Sequence, residues 1–227
     1  MTLQLASQFR LKPEPLALGT VADVVPLDHN NRILVNQGLQ RIRAGHSVAG
    51  IQAILRQSGR QTGRCVSADL GFAVGPRINA AGRMAHAYDA AKVLITPCTT
   101  EAEQLAERLN VLNRDRQDKT REMTDRAMTM ALEDGEDAML LFAADPEFPS
   151  GIVGLIASRL SESHYRPAVV VHVGDEVAVG SCRSISEFHI TDALDQCEPL
   201  LIKHGGHAAA AGFTVKNELL PTLREQL

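Results

Sequence analysis

Tryptophan is missing from the 227 residues, and only two tyrosines and six phenylalanines are present. A site that stacks flat ligands on aromatic faces therefore has little to draw on. The four cysteines, Cys65, Cys98, Cys182 and Cys197, are scattered without a C-x-x-C pair, which argues against both a zinc site and a disulfide framework. No apolar run approaches the roughly 18 residues of a membrane-crossing helix. Residues 1–15 have no basic start leading into a continuous apolar core, so they do not read as a signal peptide, and a cytoplasmic location is expected. Lysine is scarce as well, five residues against eighteen arginines.

What is present, 44% hydrophobic residues in a chain of this length, suits a globular protein of two modest domains or one large one. The net charge of −4 hides an uneven distribution. Residues 29–83 hold Arg32, Arg41, Arg43, Arg56, Arg60, Arg64, Arg77 and Arg83 with Asp69 as their one acid, so this segment is +7 and the remainder −11. An arginine-rich zone in an acidic chain suits a surface that meets phosphates; a merely solvated arginine-rich face is the alternative.

Periodicity divides the chain. Pro13 and Pro15 argue against a helix in the first 15 residues. Leu16-Ala17-Leu18 reads as a buried strand that turns at Gly19-Thr20 towards Asp23. Apolar spacing predicts helices over Arg32–Arg43, over Val48–Leu55 with Ser47 as N-cap, and over Ala85–Ile95. Ser67–Val74 reads as a short helical or irregular piece ending at Gly75-Pro76. Thr100-Glu101-Ala102-Glu103 is a capping box opening the longest helix, expected to run to about Asp134 with Gly135 as its stop. Leu105, Leu109 and Leu112 form one apolar patch on it, and Met123, Ala127 and Met130 another. Asn113–Glu122 between them has no apolar residue, as in a helix bridging two domains. After it, strands are expected at Ala138–Ala143, Ala168–His172, Val177–Gly180 and Gly212–Val215, with helices at Gly151–Ser161 and Ile190–Cys197: a small α/β domain.

Two stretches of that domain carry the chemistry. Gly180-Ser181-Cys182-Arg183-Ser184 and Gly205-Gly206-His207, the latter followed by Ala208–Ala211 and Gly212, read as small-residue turns that let backbone come close to an anion. Arg183 can add a bidentate fork, with Ser181 and Ser184 as hydroxyl donors. An isolated His207 is equally a helix-start residue. Upstream, Asp23 is a carboxylate suited to magnesium or manganese, or else an ordinary turn or cap residue. Asn79-Ala80-Ala81-Gly82-Arg83 reads as a loop before a helix, where Arg83 either contacts phosphate or is solvated. Arg77 can pair with Asp69, and Asn79 either shapes the loop or contacts a ligand.

The run Leu18-Gly19-Thr20-Val21-Ala22-Asp23-Val24-Val25-Pro26-Leu27, then Gly75-Pro76-Arg77-Ile78-Asn79-Ala80-Ala81-Gly82-Arg83, then G-S-x-R-S-I and G-G-H-x-x-A-A-G, resembles the RecJ-type single-stranded-DNA exonucleases of the DHH phosphoesterase family, in the same order, from about Leu16 to Phe213. The resemblance implies an α/β architecture: the C-terminal remnant of a DHH-type α/β domain with its following helices over residues 1–99, a bridging helix over 100–135, and a small DHH-associated, nucleic-acid-binding α/β domain with a mixed sheet over 136–227. It implies 5′→3′ hydrolysis of phosphodiester bonds in DNA repair and recombination with Mn2+ or Mg2+. The implied partners are single-stranded DNA, a single-strand-binding protein and a recombination helicase, with no membrane.

By the same resemblance Asp23 is a metal ligand and catalytic, and His207 is catalytic and faces substrate or metal across an interdomain cleft. Asn79, Gly82, Arg83, Ser181, Arg183, Ser184, Gly205, Gly206 and His207 bind the strand or its 5′-phosphate. Cys182 stands where the family usually has glycine, and Pro149 where many members have histidine. The remaining ligands of a two-metal centre lie upstream of the LGTVADVVPL run in that family, so the chain looks like an internal segment that does not hydrolyse DNA alone. Phe148 and Phe188 are the rings set against stacking or core packing. A non-catalytic strand-binding module, and an oligonucleotide or cyclic-dinucleotide phosphodiesterase, are the other readings.

Overall fold

The computed structural model describes residues 12–133, 135 and 138–227, which divide into two compact units, up to Arg116 and from Gln117 onward. Among the described residues the first unit is helical throughout: α1 (Pro13–Ala22), α2 (His29–Arg43), α3 (Ala49–Gln57), a 3₁₀ turn at Thr62–Arg64, a run of helix from Ser67 that passes through a π-segment at Leu70–Val74 into α4 (Gly75–Met84), then α5 (Tyr88–Ile95). The long α6 (Thr99–Leu132) follows, and the division between units falls within it. No described helix is long and apolar enough to cross a membrane.

Several local expectations change. The segment expected as a strand at Leu16–Leu18 belongs to α1, which begins at Pro13 itself. Prolines are tolerated in a first turn because the N–H they lack would have no intrahelical partner there; residues 1–11 lie outside the described ones. Val48, not Ser47, holds the cap position of α3, and Ser47 Oγ is buried without a hydrogen-bond partner. Gly75-Pro76 does not end the preceding piece, since Pro76 sits in the first turn of α4 and the helical run continues. The polar middle of α6 is not uniformly wet: Asn113 and Thr120 are buried, and Arg116 donates to Asn113 Oδ1 at 3.0 Å. Its expected end, Asp134, lies outside the described residues; Gly135 follows at φ +106°.

The core of this unit gathers Ile42, Ile51, Ile54, Leu55, Leu70, Leu105 and Leu109, all fully or almost fully buried. Each such side chain contributes about 1.5–3 kcal/mol on burial. Gly50 is there for proximity: a Cβ on it would stand 1.9 Å from the Val93 carbonyl oxygen, so α3 and α5 cross almost backbone to backbone. The arginine-rich segment is partly neutralised. Arg41 pairs with the fully buried Glu14 at 2.8 Å, Arg56 with Glu103, and Arg60 rather than Arg77 with Asp69, at 3.4 Å.

The second unit is built on a five-stranded mixed sheet: β1 (Leu141–Asp145), β2 (Ala168–Val173), β3 (Val177–Arg183), β4 (Leu201–His207) and β5 (Ala210–Lys216), in the order β1-β2-β3-β5-β4. β1 and β2 run parallel, joined through α7 (Val153–His164), as a parallel pair requires. The other pairings are antiparallel. One face of the sheet carries Val169, Val171, Ala178, Cys182, Ala211, Phe213 and Val215 into a core with α8 (Ile190–Gln196) and α9 (Leu220–Gln226). The opposite face takes α7.

Candidate functional site

The two stretches expected as turns are strands. Ser181, Cys182 and Arg183 lie inside β3, paired with β2 on one side and β5 on the other. Gly205, Gly206 and His207 form the end of β4, which a two-residue turn at Ala208-Ala209 joins to β5. Their backbone groups towards β5 are therefore in the ladder and not held out to an anion, and His207 does not open a helix. What the sheet provides instead is register.

Side chains on one rung of an antiparallel pair share a face. Arg183, Ala210 and His207 form one rung across β3, β5 and β4, and Ser181, Gly212 and Gly205 the rung two residues away. Ser181, Arg183 and His207 thus share a face, with only Ala210 and Gly212 on the strand between them. With strands about 4.8 Å apart, the arginine and histidine rise from backbones roughly 10 Å apart, flanking a floor of two small residues. Cys182 points the other way into the core, so its Cβ leaves this face unchanged. Burial pushes its thiol up to about 12, the adjacent Arg183 acting in the opposite sense.

Helix α7 completes the arrangement, and the motif reading had missed it. A Cβ built on Gly154, in the first turn of α7, would stand 3.0 Å from Ser181 Oγ and 3.2 Å from Arg183 Nη2. The turn that opens this helix is therefore seated against both side chains. Its cap residue, Ile152, supplies no side-chain hydrogen bond, so the positive end of the helix dipole faces them. The signal was present as Gly151-Ile152-Val153-Gly154, two glycines bracketing the helix start. Arg183 Nη1 donates to Ser181 Oγ at 3.3 Å and to the Cys182 carbonyl at 2.7 Å, which sets the guanidinium over the strand end. Ser184 turns away, its hydroxyl donating to the Phe188 carbonyl at 2.7 Å. Phe148 is fully buried, whereas Phe188 is 37% exposed. Beside Pro149, the Phe148 carbonyl accepts from His172 Nδ1 at 2.7 Å.

Gly205 and Gly206 differ in kind. Gly206 adopts φ +154°, and a Cβ there would strike Ala210 O at 2.4 Å. Nothing lies within 4 Å of a Cβ on Gly205, nor on Gly82. These two glycines leave open surface that the fold itself does not require.

In the first unit, Asn79, Gly82 and Arg83 are helical, in the later turns of α4 and not in a loop, and all three are exposed. Their spacing of three and four residues puts them on one face. Asp23 is exposed and caps the C-terminus of α1, its N–H bonding to the Gly19 carbonyl at 3.0 Å. The end of α1 packs on the run leading into α4: a Cβ on Gly75 would meet Ala22 Cβ at 3.5 Å. Among the described residues no three His, Cys, Asp or Glu side chains converge in a way that could hold a metal ion. Asp23 is thus a single carboxylate, and no reaction step is routed through a metal here.

Residues 136–227 match the DHHA1 domain. Over 220 residues, 93% of this chain, the sequence is 43% identical to the single-stranded-DNA-specific exonuclease RecJ of Dickeya dadantii and spans 38% of that protein. The RecJ of Escherichia coli is 42% identical over 212 residues, with 37% of its length covered. Among solved structures, RecJ of Thermus thermophilus in complex with Mg2+ superposes with a TM-score of 0.84 at 34% identity, over 98% of this chain and 35% of that one. An exonuclease RecJ bound to manganese superposes at 0.80 with 32% identity, over 98% of this chain and 56% of its own.

Proposed function

We propose that the chain, which is similar to RecJ exonucleases over most of its own length, holds single-stranded DNA for 5′→3′ exonucleolytic hydrolysis of phosphodiester bonds, in repair and recombination in the cytoplasm. The observation that carries this reading is the seating of the first turn of α7 on Ser181 and Arg183. A hydroxyl, a planar guanidinium fork and the positive end of a helix then converge on one oxyanion, the terminal 5′-phosphate or one close to it. His207, across the floor of Ala210 and Gly212, faces the same strand, and Gly205 lets its backbone pass. Asn79, Gly82 and Arg83 form a second contact face on α4.

The reaction draws on Mn2+ or Mg2+, which would activate water and stabilise the in-line displacement. Asp23 is the one carboxylate assigned to that centre; a single carboxylate holds no two-metal site, so strand binding is the work these residues do themselves. A single-strand-binding protein and a recombination helicase are the partners this reading implies.

The test is fluorescence anisotropy with labelled oligothymidylate carrying either a 5′-phosphate or a 5′-hydroxyl. The chain is expected to bind both, tighter with the 5′-phosphate. Arg183→Ala should abolish that preference, and Arg83→Ala should weaken both substrates and reduce the salt slope. An Arg183→Ala chain that still prefers the 5′-phosphate would sink the assignment.

A further inference from the structure

The loop that delivers the chain to α7 is anchored by charge from a distant helix. Asp145 closes β1 with its side chain only 7% exposed. Arg126, in the part of α6 that belongs to the second unit, places Nη2 2.5 Å from Asp145 Oδ2 and sets Nη1 on Glu147 Oε2. The other Asp145 oxygen, Oδ1, accepts from the Glu147 N–H at 2.7 Å, and the Asp145 carbonyl accepts from the Phe148 N–H at 3.3 Å. His172 stands opposite Asp145 in the parallel register of β1 and β2, and the Phe148 carbonyl accepts from its Nδ1 at 2.7 Å. Next along the chain, the Pro149 carbonyl accepts from the Ile152 N–H at 3.0 Å, and the Ile152 carbonyl from the Ile156 N–H at 3.1 Å. A connected set of contacts therefore runs from Arg126 to the first turn of α7, the turn seated on Ser181 and Arg183.

Packing holds the body of α7, where Ile156, Ala157 and Leu160 are fully buried. The loop before it has less apolar surface to anchor it, since Pro146, Glu147 and Ser150 are exposed. A buried carboxylate paired with an arginine is a poor source of net stability, because desolvation offsets most of the attraction. What the pair supplies is direction. The planar guanidinium takes one carboxylate on each Nη, so the end of β1 and the second residue of the loop are tied to a single plane.

We propose that Arg126 and Asp145 are positioning residues for the 5′-phosphate site. They act through α7, holding the entry to that helix where its first turn meets Ser181 and Arg183. The proposal rests on the strand-holding function above and deepens it: recognition of the strand end depends on a clamp between the long helix and β1, outside the residues that meet the phosphate.

Three variants of the whole chain test it. Arg126→Gln removes the fork at a side chain 44% exposed. Asp145→Asn keeps the shape and an oxygen for the Glu147 N–H, and the double variant leaves no uncompensated buried charge. Anisotropy gives the affinity of each for oligothymidylate with a 5′-phosphate and with a 5′-hydroxyl, and circular dichroism melts check folding. Each single variant should lower the ratio of the two affinities by about two- to fivefold, the share a helix N-terminus contributes to a bound anion, with binding of the 5′-hydroxyl form unchanged. The double variant should lower the ratio no further than either single one, because both residues act at the same link. If Asp145→Asn fails to fold, Arg126→Gln carries the test by itself. A clamp that serves only the fold would lower the melting temperature and weaken both oligonucleotides equally; a ratio that stays at the parent value overturns the proposal and leaves the strand-holding function standing. An unaltered chain with no preference for the 5′-phosphate overturns the phosphate site, and the clamp with it.

Discussion

At position 206 the backbone takes φ +154° with the β5 backbone at contact distance, so Gly206→Ala should destabilise the second unit by about 1–3 kcal/mol, read as a lowered melting temperature. One residue earlier, nothing limits a methyl group. Gly205→Ala should melt like the parent and bind oligonucleotide more weakly, so the two alanines separate a structural glycine from one that serves the strand. If Gly205→Ala binds as well as the parent, the open surface there is incidental. The sequence showed a glycine pair but could not rank its members, because the difference lies in what β5 brings alongside. The cysteines follow the same logic. Cys65 and Cys182 are buried, with burial, then Asp69, raising Cys65 to about 11 and burial raising Cys182 to about 12, whereas Cys98 is exposed. Iodoacetamide at mildly alkaline pH should therefore modify Cys98 in the native chain and leave Cys65 and Cys182 until it unfolds; rapid native labelling of Cys182, followed by mass spectrometry, would refute the packing described for β3.

Among the elements, α7 and β3 depend on one another. Gly154→Ala places a methyl 3.0 Å from Ser181 Oγ and 3.2 Å from Arg183 Nη2. Both are side-chain ends that can yield, so the fold should lose little stability while the preference for a 5′-phosphate falls. A parent-like preference in that variant would separate the helix start from the phosphate site. The strand nature of G-S-x-R-S was hidden by composition: glycine and serine read as turn residues. Gly180 is instead small because the Phe213 ring occupies its face, where a Cβ would lie 2.2 Å from a ring carbon. Likewise Asn79-Ala80-Ala81-Gly82-Arg83 looked like a loop, yet the run from Ser67 through the π-segment carries it into α4 with Ala80 and Ala81 in the core. Small residues mark close packing as readily as they mark turns, and periodicity over five residues cannot tell which.

For the molecule as a whole, pH acts through thiols in both units. Cys65 and Cys182 ionise well above the ordinary 9.0 when folded. Above pH 9 the unfolded chain sheds those protons while the folded chain keeps them, so stability is fully present below pH 9 and falls from there towards pH 11–12. Denaturant melts across that range check this, and Cys65→Ala/Cys182→Ala should flatten the alkaline slope even if its stability at neutral pH is lower. Charge also acts at this scale. A chain at −4 overall is expected to bind an anionic strand with a steep salt dependence, because eight arginines are concentrated within residues 29–83 and the acids at Glu14, Glu103 and Asp69 pair with only three of them.

The sequence by itself determined the α/β class, the long helix after Thr99, most of the β-strands after Ala138 and, through four ordered motifs, the similarity to RecJ exonucleases. Those are properties of local apolar spacing and of residue types that chemistry restricts. Only the tertiary structure decided that Ser181, Arg183 and His207 share a face, and that Gly154 seats a helix start upon Ser181 and Arg183. Each depends on strand register or helix crossing between residues far apart in the chain, and spacing within one segment carries no information about which partner lies across from it.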